Sequence, residues 1–381
     1  MMLEGKVEII LGKGRGSAVR HDRTVNISPM LGGRSPAEAI TCISSVYGVC
    51  ANAQSHAAVL ALEATIGVAP DRQTACARVL VTSMETLREN VLRIALEWPR
   101  FFGGEPEGAS VRPVIGYVPR IRHALFGSRN PFAIGAGCVP DRVAALAVID
   151  EAEALLADGI FGEPLEVWRA RRGMAGFADW CALRRTAAAR MIANLSERNW
   201  IHMADAGRDA VGLPHTGSAV AWPRLLAGNS RRVPFALQDG VPETTLFSRR
   251  LAEGPVESLN SSGLGARFIA RLAELACLPA EMRLLLDGQG EPGMMTETDD
   301  GTGIGIVEAA RGLLIHTVGL RDGRVDAYRI VSPTDWNFDS RGIAARCLAT
   351  LDGHDEADRI SLAHLVVNAI DPCVAYQVRA A

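Results

Sequence analysis

Eight cysteines are spread along 381 residues, and two of them have neighbours suited to metal chemistry. Cys50 stands in YGVCANAQSH, directly before a segment patterned as a helix. Unpaired backbone N–H groups and the helix dipole at such a start lower a thiol's pKa. Cys373 follows Asp371–Pro372, whose ring fixes the local backbone. A thiolate is a soft ligand that suits iron or copper. Cys42, Cys76, Cys138, Cys181, Cys277 and Cys347 lie singly among apolar or helical surroundings, where a cysteine acts as a small buried hydrophobe. Taken one at a time, Cys50 and Cys373 fit that ordinary role as well.

Other chemistries find little support. No Cys-x-x-Cys pair, HExxH helix or His-x-x-x-His helix occurs, which leaves a structural zinc site without ligands. No G-x-S-x-G elbow marks a hydrolase nucleophile. The GKGRG run lacks phosphate-loop spacing and reads as a turn. GTGIGIVE (301–308) misses the last glycine and the βαβ setting of a dinucleotide site. With 40 basic and 43 acidic residues the net charge is −3, so nucleic acid has no electrostatic foothold. The Arg pairs 171–172, 184–185, 231–232 and 249–250 read as solvated surface, with Arg249 the possible exception. No stretch reaches the roughly 18–20 apolar residues that span a bilayer, and MMLEGKVEII has no signal-peptide core. Unpaired cysteines without a secretory signal point to a reducing cytoplasm.

The elements that must position the thiols are mostly helical. VEIIL near the N-terminus reads as a strand. Helices are expected from Ser35–Pro36 onward, over 51–66, from Asp71 to Trp98 before Pro99, and from Asp141 to a stop at Gly159. Further helices are expected over 179–200, 265–277 and roughly 356–370, with a loop-rich middle to about 260. LLIHTVGL and VDAYRIV, joined by RDG, predict a hairpin. The pattern predicts a mainly α (α+β) chain forming one domain over 1–381.

These motifs resemble, in order, those of nickel–iron hydrogenase large subunits. Residues 31–64 resemble the first metal motif, GR-x-P followed by R-I-C-G-V-C-x-x-x-H and a helix carrying a Glu. Gly33, Arg34, Pro36, Gly48, Val49, Cys50 and Glu63 match it. Ser45 stands at its arginine, Tyr47 at its first cysteine and Gln54 at its histidine, with His56 two residues further on. DPCVAYQVR resembles the closing D-P-C-x-x-C-x-x-H, keeping Asp371, Pro372 and Cys373 but placing Tyr376 and Arg379 at the second cysteine and the histidine. VEAARGLLIH (307–316) resembles EAPRG-x-L-x-H, and YRIVSPTDWN (328–337) the P-T-x-W-N segment. VPETTLFSR (241–249) resembles E-x-G-P-L-A-R, RFIARLAE (267–274) its A-R-x-x-E helix, and LEGK (3–6) weakly the opening I-E-G-H.

The resemblance implies a helix-dominated large-subunit-like fold with small β portions near the N-terminus and around 311–331. It also implies a metal site cut in half. Four thiolates hold nickel in the enzymes, and here Cys50 matches a bridging position and Cys373 a nickel-terminal one. Two phenols cannot complete a nickel site, yet two thiolates suffice for one iron carrying carbonyl and cyanides. Arg311 and Thr334 match the residues that hydrogen-bond the cyanides, and Pro333 is expected beside them at the cofactor. Glu4, Gln54, His56 and Arg379 are expected around them. The double-tyrosine pattern resembles the HupK (HoxV-type) family of hydrogenase expression/formation proteins. That resemblance implies a non-catalytic cytoplasmic scaffold for a transient Fe(CN)2CO unit without nickel. The unit would be received from a HypC–HypD type carrier and passed to the true large subunit, with no role for nucleic acid or membrane. The alternatives are a metal-free adaptor that binds the same chaperones and a divergent hydrogenase subunit.

Overall fold

The computed structural model describes residues 5–12, 16–22, 27–48, 50–207, 242–292, 294–297 and 301–380. Two small sheets flank a helical body. In the first, β1 (Lys6–Leu11) pairs antiparallel with β2 (Ser17–Asp22) and parallel with β7 (Ala375–Ala380), in the order β2-β1-β7. Val7, Ile9 and Leu11 alternate inward, as a strand with one buried face requires. This pairing draws the chain's last segment back against its first, and Cys373 lies two residues before β7 begins.

The second sheet is an antiparallel meander of β3 (Met294–Glu297), β4 (Gly303–Ala309), β5 (Gly312–Arg321) and β6 (Arg324–Val331). The expected β5–β6 hairpin is present. Asp322 and Gly323 turn it with both φ values positive (52° and 71°), the twist that matches right-handed strands.

Among the helices, α1 (Pro36–Val46) opens with a capping box in which Ser35 and Glu38 satisfy each other's backbone N–H. Helix α2 (Ala51–Thr65) is buried at every residue from Asn52 to Ala64, because small and aliphatic side chains ring it completely. It lies against β4 at a distance that only glycine permits. A Cβ at Gly305 would come within 2.2 Å of the Ala57 carbonyl oxygen, and one at Gly303 within 2.0 Å of that of Ala61. The glycines of GTGIGIVE therefore seat a helix and cradle no phosphate. Asp71 caps the long α3 (Arg72–Glu97) by accepting the Thr74 N–H. Helices α6 (Leu264–Leu286) and α8 (Glu356–Ile370) complete the frame around one continuous apolar core running from Val7 to Ile370.

Several boundaries differ from expectation. Helix α4 (Arg142–Leu155) runs on through a π turn to Phe161, and the left-handed residue that stops it is Gly162, not Gly159. The stretch 179–200 is two helices: Arg184 turns left-handed after Leu183, and α5 (Ala187–Glu197) restarts under a Thr186 cap. Helix α6 continues past Cys277 and includes Pro279. Strands β3 and β7 are short and were not expected from the sequence. Both Arg249 and Arg250 are held in ion pairs inside the fold, so Arg250 too departs from a solvated surface. Arg231 and Arg232, and most of GKGRG, lie outside the described residues. No helix among the described residues is long and apolar enough to cross a membrane.

Candidate metal centre

Three chain ends converge on one point. Cys50 is the N-cap residue of α2. Cys373 follows the C-terminus of α8, where Asp371 adopts a left-handed conformation (φ 66°) that turns the chain toward Pro372. Arg311 sits at the tip of the β4–β5 hairpin, between Ala310 and Gly312. Gly312 (φ 127°) is required there, since a Cβ would collide with the Thr244 carbonyl.

The thiols of Cys50 and Cys373 are near enough for each to shift the other's ionisation, although 323 positions separate them in sequence. Together they hold one negative charge readily and two with difficulty. The hydrogen bond from Cys50, then the Arg311 guanidinium and Thr334, draw the Cys373 thiol below its ordinary range against the opposing effect of burial. The same hydrogen bond and burial push Cys50 well above it. The helix-start argument had favoured Cys50 as the acidic thiol. The Cys373 thiol and burial outweigh that effect, and Glu85 of α3 adds to them as the cap of α2, accepting the Asn52 and Ala53 N–H groups at 3.0 Å each and the Asn52 amide at 2.7 Å. A second anion next to that carboxylate is disfavoured.

Arg311 is buried (7% exposed) and lies close enough to both thiols for their charges to be felt. Its Nε donates to Asp371 at 3.1 Å and its Nη2 to Glu89 at 3.3 Å. Its remaining nitrogen, Nη1, is buried with no hydrogen-bond partner among the described residues. Asp371 also takes Arg93 and Arg271, and three guanidiniums hold its carboxyl below the usual carboxylate range despite burial. Thr334 is the second residue of α7 (Pro333–Asn337), a short helix opened by a Ser332–Asp335 capping box and by Pro333. Its hydroxyl accepts the Cys373 backbone N–H at 2.9 Å and reaches the Cys373 sulfur. Thr334 thus holds Cys373 in place.

Sequence reasoning missed a buried chain that ends on the other sulfur. The Tyr328 O–H donates to His316 Nδ1 (2.7 Å), leaving His316 Nε2–H to donate to the Gln54 amide oxygen (2.8 Å). The Gln54 amide then donates to Cys50 Sγ at 4.0 Å. His316 was visible as the histidine of VEAARGLLIH, but its partners come from another helix and another strand. Gln54 takes its expected place beside the pair. Tyr47, the C-cap residue of α1, neighbours Tyr328.

Two expected neighbours of the thiols, His56 and Arg379, have other partners, and so does Tyr376 at the lost cysteine position. His56 does not surround the thiols: its Nδ1 bonds Thr82 at 3.1 Å and its ring packs beside Phe132. Arg379 lies on the exposed edge strand β7 and pairs with Glu8, two residues along β1 from its register partner Ile10. Tyr376 bonds His364 Nδ1 at 3.2 Å and lines a cavity of about 780 Å³ with Phe101, Phe102 and Trp200. In each case the strand or helix period carries the side chain to another face. Glu4 lies outside the described residues.

The donor set suits an ion that brings its own ligands. Among the described residues no group of three or more His, Cys, Asp or Glu could hold a bare metal ion. Two sulfurs plus a buried unsatisfied N–H fit a metal that already carries an anionic acceptor ligand.

Residues 281–379 match the nickel-dependent hydrogenase family. The chain is 28% identical to the hydrogenase expression/formation protein HupK of Rhizobium leguminosarum bv. viciae, over 95% of this chain and 91% of that one. It is 27% identical to the hydrogenase expression/formation protein HoxV of Cupriavidus necator, over 96% and 93%. Its fold matches the Ni-Fe-Se hydrogenase of Desulfovibrio vulgaris Hildenborough with a TM-score of 0.64, at 16% identity, over 94% of this chain and 93% of that one. The chain is a homologue of the HupK and HoxV proteins and is built on the fold of a nickel–iron hydrogenase large subunit.

Proposed function

We propose that this chain is a non-catalytic maturation scaffold whose cargo is the Fe(CN)2CO unit of nickel–iron hydrogenase. Cys50 and Cys373 take the iron, and Arg311 Nη1 donates to a cyanide nitrogen. A HypC–HypD type carrier delivers the unit, and the hydrogenase large subunit receives it. The observation that carries this reading is the thiol pair near the buried Arg311 guanidinium, one nitrogen of which has no partner among the described residues. A buried donor left unsatisfied is costly, and an anionic ligand of the cargo would satisfy it. The hydrogenase expression/formation names of the relatives support a maturation role.

Transfer is ligand exchange at iron. As the cargo arrives, each Fe–S bond to the carrier is replaced by one to Cys50 or Cys373, whose protons pass to the departing sulfurs. Release runs the same exchange toward the acceptor. The Arg311 charge and the Thr334 hydroxyl favour the thiolate of Cys373, which makes it the first sulfur to engage.

Infrared spectroscopy tests this on protein purified anaerobically from cells that contain the maturation proteins. Cyanide and carbonyl stretches without bound nickel are expected, lost in Cys50→Ala and Cys373→Ala and retained in Cys76→Ala. A silent spectrum would favour the metal-free adaptor. Bands accompanied by nickel and hydrogen turnover would favour the divergent enzyme.

A further inference from the structure

The cavity of about 780 Å³ that Tyr376 lines is electropositive, in a chain whose net charge is −3. Three arginines reach it, Arg93, Arg100 and Arg198, against one carboxylate, Glu97. Arg93 and Glu97 neutralise each other at 2.6 Å, and Arg93 also holds Asp371. His364 adds no charge at neutral pH, since burial lowers its pKa. Arg100 and Arg198 are exposed, and neither side chain has an ion pair or a hydrogen bond among the described residues. Arg198 is nevertheless held in place. Its guanidinium stands 5.2 Å from the Trp200 ring centroid and 5.5 Å from that of Phe102. Stacking orients the guanidinium and leaves its N–H fork, which matches a carboxylate, unfilled.

The same wall includes the start of an edge strand. Ala375 and Tyr376 open β7, which pairs with β1 alone. Half of the N–H and C=O groups of such a strand face away from its neighbour. Among the described residues no backbone group meets them, and Ala375, Gln377, Arg379 and Ala380 are exposed. Side chains alternate along a strand, so an extended segment added to this edge can aim every second residue at the arginines. We propose that the β7 edge and this cavity dock an extended acidic segment of a protein partner, its main chain on β7 and its carboxylates on Arg100 and Arg198. A free small anion would leave the strand edge unpaired. Cys373 lies two residues before β7, so the docked protein is brought to the thiol pair; that consequence alone rests on the maturation reading.

Two pentapeptides, one alternating valine with glutamate and one valine with glutamine, test the docking on the full chain without cargo. Failure here therefore leaves the metal reading untouched. Titration calorimetry is expected to give the glutamate peptide a Kd at least about fivefold below that of the glutamine peptide, the worth of two exposed ion pairs. Salt at about 1 M, which screens charges beyond about 3 Å, should erase that gap. Arg100→Gln combined with Arg198→Gln should erase it too, while leaving the glutamine peptide within about twofold. Saturating glutamate peptide should slow amide hydrogen exchange across residues 375–380 of the wild-type protein, a readout that needs no variant. Equal affinity for the two peptides, or exchange in β7 that the peptide does not slow, would overturn the proposal. So would N-acetylglutamate amide binding as tightly as the peptide, the mark of a site for small anions.

Discussion

Arg78 and Arg311 are both buried guanidiniums that face a carboxylate, and they differ in completeness. Arg78 donates from Nε to the Pro131 carbonyl, from Nη1 and Nη2 to the two oxygens of Glu63, and again from Nη2 to Ala133. Both members of that pair are 0% exposed, and every nitrogen is used. Arg311 has two carboxylate partners and one idle nitrogen beside two thiols. A complete pair ties helices together; an incomplete one leaves a donor idle, as also happens at Arg267, Arg271 and Arg359, and at Arg311 that donor belongs to a guanidinium near two thiols. The fold tolerates the second because Asp371 is shared with Arg93 and Arg271 and never stands alone.

Substitution at the two arginines is the sharpest way to break this contrast. Arg78→Met strands the Glu63 carboxylate in the core and should cost about 3–5 kcal/mol in chemical denaturation, because a buried charge loses its partner. Arg311→Met leaves Asp371 two guanidiniums and should cost only about 1–2 kcal/mol, yet it should remove most of the infrared cargo bands. Equal stability losses at the two sites would mean that Arg311 is structural.

A pH series probes a third buried base. The folded-state pKa of His56, about 3, lies below its ordinary value, so between the two the unfolded chain binds a proton that the folded one refuses. Its stability is complete above about pH 6.5 and falls as pH drops toward 3. Wild type should lose about 1.4 kcal/mol per pH unit more than His56→Gln across that window. Parallel curves would show that His56 accepts a proton while folded.

The smallest effects belong to the thiols and the displaced tyrosine. Cys50→Ala and Cys373→Ala should each change stability by no more than about 1 kcal/mol while abolishing cargo binding. Tyr376→Phe removes one partly exposed hydrogen bond to His364 and should cost less than about 1 kcal/mol, with cargo binding intact. Loss of cargo in Tyr376→Phe would place that phenol in the pocket after all.

Much of this was legible in the sequence because it is local. Capping by Asp71, the helix start at Ser35–Pro36 and the RDG turn follow from short motifs, whereas the approach of Cys50 to Cys373 was expected only from the resemblance. What stayed hidden depends on which way a side chain points after assembly. His56 and Gln54 are two residues apart on one helix, and only Gln54 faces the sulfur. Arg379 occupies the motif's histidine position, yet the period-two alternation of β7 turns it to Glu8. The helix start at Cys50 lowers its thiol less than the Cys373 neighbour and burial raise it, and both of those come only with assembly. The glycines of GTGIGIVE were correctly denied a nucleotide, but their role needed the helix that lies on them.

X-ray absorption at the iron edge of the loaded protein puts the central claim to its most direct test. Two sulfur neighbours per iron are expected, none around nickel, with the pair lost when either Cys50 or Cys373 is replaced. An iron with four sulfurs, or with none, would contradict a cargo held by this pair.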